Sequence, residues 1–187
     1  IDEVTALVEW PQVIVGEFDK SFLSVPEECL IYSMRDHQKY FHYVDASGAL
    51  VNLFATVSNI ESTDPASVRA GNERVLRARL SDARFFWETD CKIPLADRLP
   101  SLEGVLFHAK LGSIRAKAER ISMLAENFAE HTGADSDEAA RAALLAKADL
   151  TSNTVGEFAE MQGVAGRYFA SADDPKLADW RTLKSVP

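Results

Sequence analysis

Two polar clusters carry the residue types from which chemistry could be built. The first is Met34-Arg35-Asp36-His37-Gln38-Lys39-Tyr40-Phe41. Alternation on a strand predicts Arg35, His37 and Lys39 on one face. Such a face suits an anion or a phosphate backbone. The competing reading is a solvated strand edge, where Lys and Arg discourage aggregation. The second cluster runs from Gly71 to Arg84. At ~100° per residue, Arg74, Arg77 and Arg84 fall on one helical stripe and Arg79 turns toward the apolar side. A guanidinium offers a forked set of donors that matches phosphate. The competing reading is the charged outer face of an amphipathic helix, with Glu73 pairing with Arg77 at i, i+4.

Four histidines do not add up to a metal site. His37 and His42 lie five apart on an expected strand and point to opposite faces. His108 and His131 sit at the two ends of an expected helix, roughly 35 Å apart. No pair has ligand spacing. A Gly-rich phosphate loop, a paired CxxC, an HExxH and a serine elbow are all missing from the sequence. No catalytic residue and no metal ligand is assigned.

The elements that must hold these clusters follow from local signals. Val13-Ile14-Val15 between Pro11 and Gly16 reads as a strand. Pro26-Glu27-Glu28 opens a helix. Tyr40–Val44 and Leu50–Val57 form a hairpin around Asp45-Ala46-Ser47-Gly48. Asp64 caps a helix that begins at Pro65 and continues to about Glu88. Lys92-Ile93-Pro94 and Leu99-Pro100 interrupt the helical pattern. Beyond them, helices are predicted over 105–132, ended by Gly133, over 135–150, and over 155–170 despite Gly156, Gly163 and Gly166. The expected class is α+β. A mixed strand and helix module covers 1–90, a connection 91–104, and an all-helical domain 105–172. The tail 173–187 is left unassigned.

Composition narrows the function classes. The chain has 187 residues, 20.6 kDa and a net charge of −9. Charge is unevenly spread. Residues 1–67 carry 3 Lys/Arg against 11 Asp/Glu, residues 68–120 carry 11 against 7, and residues 121–187 carry 6 against 11. A basic middle between acidic flanks can present a local positive face, because charges beyond ~10 Å are screened. No apolar run approaches the ~20 residues of a membrane span, so no membrane association is expected. The start has no export signal and no initiator Met, which suggests an excised or processed piece. Cys29 and Cys91 read as two free thiols of a reducing compartment, with a cytoplasmic location expected.

A series of segments then resembles one family, the beta subunit of the bacterial two-subunit glycyl-tRNA synthetase. The segments are Thr5–Pro11, Ser33–Phe41, Val57–Ser62, Gly71–Ala83, Lys110–Gly112, Leu145–Leu150 and Gly156–Gly163. They occur in family order at similar intervals over about residues 3–170, in a chain much shorter than the family's beta subunit. The resemblance implies an internal fragment of a ligase that joins glycine to its tRNA with ATP. It places ATP, magnesium and the adenylate chemistry in a separate alpha subunit, within a heterotetramer, so no cofactor is expected here. It likens the first module to the editing-like module of phenylalanyl-tRNA synthetase beta subunits, and the second to an HD domain. In that domain the His-Asp pair would be replaced by Ala146 and Lys147. On this reading Arg35, His37, Lys39, Arg74, Arg77, Arg84, Lys110, Arg115 and Lys147 are candidate donors to tRNA phosphates or 2′-hydroxyls. Two alternatives stay open. One is a scaffold that docks the alpha subunit. The other is an HD-type metal phosphohydrolase with metal near Lys147 and Asp149.

Overall fold

The structure is a computed structural model and describes residues 2–173. The stretch 174–187, which includes most of the unassigned tail, lies outside the described residues. The class is α+β, and the chain divides into two compact units, 1–87 and 88–187.

In the first unit, helix α1 (Asp2–Leu7) precedes strand β1 (Gln12–Glu17). Asn59 fixes this entry, its Oδ1 accepting the Glu9 and Trp10 amides at 2.7 and 3.0 Å. A 3-10 turn (Lys20–Ser24) leads to α2 (Glu27–Tyr32) and a π-helical turn (Ser33–His37). Strands β2 (Phe41–Val44) and β3 (Leu50–Ser58) follow, then the long helix α3 (Pro65–Asp90), whose last three residues pass into the second unit. The sheet is antiparallel in the order β1-β3-β2, with Val15 opposite Ala55 and Ala55 opposite Phe41. The hairpin forms as its turn residues dictate. Asp45 Oδ1 accepts the Ser47 and Ala49 amides, and Gly48 takes a φ of 85°. Asp64 caps α3 by accepting the Ser67 amide at 3.1 Å. Leu30, Met34, Phe54, Leu76 and Leu80 are fully buried and form the core. Gly16 is required where β1 crosses that core, because a Cβ there would lie 2.6 Å from the Phe54 ring.

The first polar cluster departs from the strand predicted for it. Residues 33–37 are helical and Lys39 has a φ of 59°, so strand alternation does not set the directions of Arg35, His37 and Lys39. The α2 helix continues into a wider turn, closed by the Tyr40 amide donating to the Met34 carbonyl at 2.9 Å. Met34 and Ser33 are thereby drawn into the core.

In the second unit, the predicted connection 91–104 is itself structured. It forms a 3-10 segment (Ala96–Gly104) with Leu95, Leu99 and Leu102 buried, so it contributes core and not a linker. The expected all-helical domain opens instead with a small hairpin, β4 (Leu106–His108) and β5 (Gly112–Ser113). Gly112, with a φ of 85°, lets the chain turn there and ends the helical periodicity. Helix α4 (Ile114–Thr132) is capped by Ser113 and stopped by Gly133 at a φ of 74°. Helix α5 (Ser136–Leu145) is capped by Asp135 and stops five residues short of the predicted end, giving way to a 3-10 turn (Ala148–Thr151). The predicted helix over 155–170 is broken into α6 (Asn153–Glu157), a 3-10 turn (Ala159–Met161) and α7 (Val164–Asp173). Gly163 sits at the break with a φ of 81°.

Two buried aspartates organise these short helices. Asp90 accepts hydrogen bonds at the start of α6 from the Asn153 and Thr154 amides and from both their side chains. It also meets the buried Arg98 guanidinium, at 3.3 Å, while the Asp90 carbonyl accepts from Arg98 at 2.7 Å. Asp149 accepts the Gly163 and Gly166 amides at the start of α7. Each carboxylate thus satisfies helix-start amides that lack intrahelical partners.

A candidate nucleic-acid interface on the long helix

Helix α3 is the element that displays the second polar cluster. Its propensity is good apart from Gly71, and it buries Leu76, Leu80 and Ala83 while turning other positions outward. Arg74, Arg77 and Arg79 are exposed; Arg79 does not point to the apolar side as the angular reading expects. The helix buries a narrow strip, and Arg79 lies beyond its edge. Among the described residues neither Arg74 nor Arg77 forms an ion pair.

The three arginines of the predicted stripe have different surroundings. Arg84 is half-buried, stacked 4.6 Å over the Phe22 ring and 3.4 Å from Ser21 Oγ. It is bound to its own module and less available to a ligand. Arg77 edges a cleft of about 470 Å³ that is also lined by Glu17, Asp19, Lys20, Asn52 and Glu73. The Asp19 carboxyl is held below its usual range, first by the Ser21 amide and side chain, and then by the nearby Arg84 and Arg77 charges. The expected Glu73–Arg77 pair is not formed. Glu73 Oε1 instead accepts the Glu17 amide at 3.1 Å, tying helix to strand. Arg74 does not line this cleft and, like Arg77, is exposed.

The first cluster meets α3 through a bond the sequence reading missed. Tyr40 Oη donates to Asn72 Oδ1, and Asn72 Nδ2 donates to the Val68 carbonyl at 2.8 Å. Tyr40 also stacks on Phe54 at 5.0 Å, and burial pushes its phenol pKa up. Arg35 holds Asp36 with two bonds of 2.8 and 2.9 Å and lies over the Tyr32 ring. That bond, before the nearby charges, holds the Asp36 carboxyl low. Lys39 pairs with Glu3 at 3.0 Å, and His37 is exposed. Arg35 and Lys39 are therefore partly neutralised by neighbours in their own unit.

The remaining candidates belong to the second unit. Lys110 is exposed in the β4–β5 turn, where its amide donates to His108 Nδ1 at 3.1 Å. Arg115 is half-buried and paired with Glu119 at 2.7 Å. Lys147 is half-buried between α5 and the following 3-10 turn, and Ala146 is the residue at which α5 ends. His108 lies on a strand and not on the helix that ends near His131. Among the described residues no group of three or more His, Cys, Asp or Glu is placed to hold a metal. Burial pushes the Cys29 thiol up to about 12 and also raises Cys91, so neither is an activated nucleophile. The functional reading missed Asp90 and Arg98, and named Asp149 only as the neighbour of a metal, not as a helix-start acceptor. Asp90 has no local sequence signal, because the amides it holds lie 63 and 64 residues further along the chain.

Fold and site together describe an α+β protein whose long helix presents exposed arginines. The sequence matches the family described as glycyl-tRNA synthetase beta subunit over residues 1–178. The chain belongs to that family. It is 53% identical over 173 residues to the glycine–tRNA ligase beta subunit of Neisseria meningitidis serogroup A. It is 54% identical to that of Colwellia psychrerythraea and 53% identical to that of Chromohalobacter salexigens. Each match covers 92% of this chain and 25% of the relative. The chain thus spans about a quarter of the length of these relatives.

Proposed function

We propose that this chain is the part of a glycine–tRNA ligase beta subunit that contributes tRNA binding. The carrying observation, beside family membership, is that Arg74 and Arg77 stand exposed on α3 without an ion pair among the described residues. Arg74 is the principal phosphate donor of this reading, and Arg77 acts from the rim of its mixed-charge cleft. Lys110 and His37 are exposed secondary contacts. Arg35, Lys39 and Arg115 reach RNA only by sharing or leaving their carboxylate partners, and Arg84 and Lys147 act chiefly within the fold. ATP, magnesium and adenylate formation are assigned to a separate alpha subunit, in a heterotetramer acting in the cytoplasm. The HD-type hydrolase reading lacks a ligand set among the described residues, and Asp149 Oδ2 is already engaged by two backbone amides.

Arg74→Glu with Arg77→Glu tests the proposal. In gel shifts with glycine tRNA, the double variant is expected to weaken binding at least 10-fold. The slope of log affinity against log salt should fall by roughly one to two. Unchanged affinity and slope, in a variant with the original melting temperature, would leave only the scaffold reading.

A further inference from the structure

The first unit's sheet carries a mixed face, with Gln12, Ile14, Gly16, Phe54, Thr56 and Ser58, and a nearly all-apolar one. One face is covered by the unit's own core, as the contact of Gly16 with Phe54 and the α3 residue Glu73 shows. On the other face stand Val13 opposite Val57, and Val15, Ala55 and Phe41 in one cross-strand row. Leu53 follows, opposite Glu17, the single charged residue of the β1–β3 register. Antiparallel sheets with a solvated face alternate apolar and polar positions. Here it is the apolar set of the alternation that faces outward: Val13 is 65% exposed, Val15 43% and Leu53 37%, with Ala55 buried at 6% between them. An apolar surface shared by three strands, with one acid at its rim and no Lys or Arg, does not suit RNA or an anionic lipid surface.

We infer that this outer sheet face is a domain interface, covered in the complete subunit by another segment of the same polypeptide. Two observations carry the assignment. First, the relatives are four times as long as the stretch they share with this chain, so most of their chain lies outside it. Second, the face is small. Three strands at ~4.8 Å spacing and about six residues each give on the order of 300 Å². A stable interface between separate molecules uses about 800 Å² per partner. A patch of this size binds well when its partner is tethered at high effective concentration, and poorly when the partner must arrive from solution. The covering segment must present an uncharged apolar face. The inference rests on family membership and on the sheet, and is independent of tRNA binding.

Thiol labelling tests it. Val15→Cys and Leu53→Cys are made one at a time in this chain, with the exposed Cys91 changed to Ser. The same positions of the full-length Neisseria meningitidis relative are changed to Cys, with its reactive cysteines removed. Maleimide labelling is expected to be fast here and at least 10-fold slower in the long subunit alone. Equal rates would overturn the inference. So would protection that appears only when the other subunit is added. Protection of this chain that grows with its concentration, with a doubled mass by light scattering, would assign the face to a second copy instead. Leu53→Lys gives an independent measure. The melting temperature of this chain should stay within about 1 °C, while the matching change in the long subunit lowers it by several degrees. Equal shifts in both would count against a covered face.

Discussion

The two units handle polar groups in opposite ways. In the first, the aspartates with lowered pKa lie at the surface, where Asp19, Asp45 and Asp64 close turns or cap helices within a few residues of themselves. Its interior is built on Phe54, Leu76 and Leu80, with Ser33 the buried polar residue beside them and no buried charge among the described residues. In the second, two carboxylates are inside. Asp90 and Asp149 are buried and hold the starts of α6 and α7, with Arg98 buried beside Asp90. The difference teaches where stability is concentrated. A surface cap is one small contribution among many, whereas a buried charge must be fully partnered or it is costly.

The comparison is broken most directly at Asp90. Asp90→Ala removes the hydrogen-bond acceptor of α6 and leaves Arg98 buried without its carboxylate. Truncating one partner of a buried pair costs about 3–5 kcal/mol. Hydrogen exchange should show protection lost over 90–173 while amides of β1 and β3 stay protected. Retained protection in α6 would show that the buried charges are dispensable. In the first unit the matching lesion is apolar. Phe54→Ala should cost about 3–4 kcal/mol by denaturant unfolding, through lost burial and a cavity.

Smaller effects come from two glycines. Gly16→Ala places a methyl group 2.6 Å from the Phe54 ring, whereas Gly166→Ala places one 3.2 Å from the Asp149 carboxylate. The first must move a packed aromatic ring and should cost about 1–3 kcal/mol. The second asks its neighbour to give by a few tenths of an ångström and should cost less, about 1 kcal/mol. The reverse ranking in thermal melts would mean that the carboxylate site is the stiffer of the two.

The gentlest probe is acid. Asp19, Asp36, Asp45 and Asp64, all in the first unit, have carboxyls held below their ordinary value by hydrogen bonds. A lowered folded-state pKa gives stability that is complete above the unfolded value of about 3.9 and drains as pH falls through the folded values. Below about pH 4, β2–β3 and the start of α3 should therefore lose exchange protection progressively. The four groups are largely solvated, so the loss should be modest and reduced by salt. Protection that stays flat down to pH 2 would show these caps to be inert.

Much of the first unit was legible because its signals are short-range. Asp64-Pro65 predicts where α3 begins, and Asp45 to Gly48 predicts the hairpin. Gly133 likewise predicts the end of α4 in the second unit. The second unit resisted elsewhere because its helices are short. Periodicity joined 155–170 into one helix, while Gly163 and the Asp149 clamp divide it. The cationic candidates show the same limit. Spacing placed Arg74, Arg77 and Arg84 on one stripe but could not show Phe22 under Arg84, Asp19 near Arg77, or Arg74 without an ion pair among the described residues.

By itself the sequence determined the α+β class, the turns and caps, and, through its ordered segments, kinship with the ligase subunit. Those depend on residues within a few positions of one another, or on the identity of the residues alone. Only the tertiary structure decided which arginines stay open, which aspartates are buried, and that the sheet leaves an apolar face uncovered. The Asp90 carboxylate meets amides 63 and 64 residues away, and no local pattern encodes a partner at that distance.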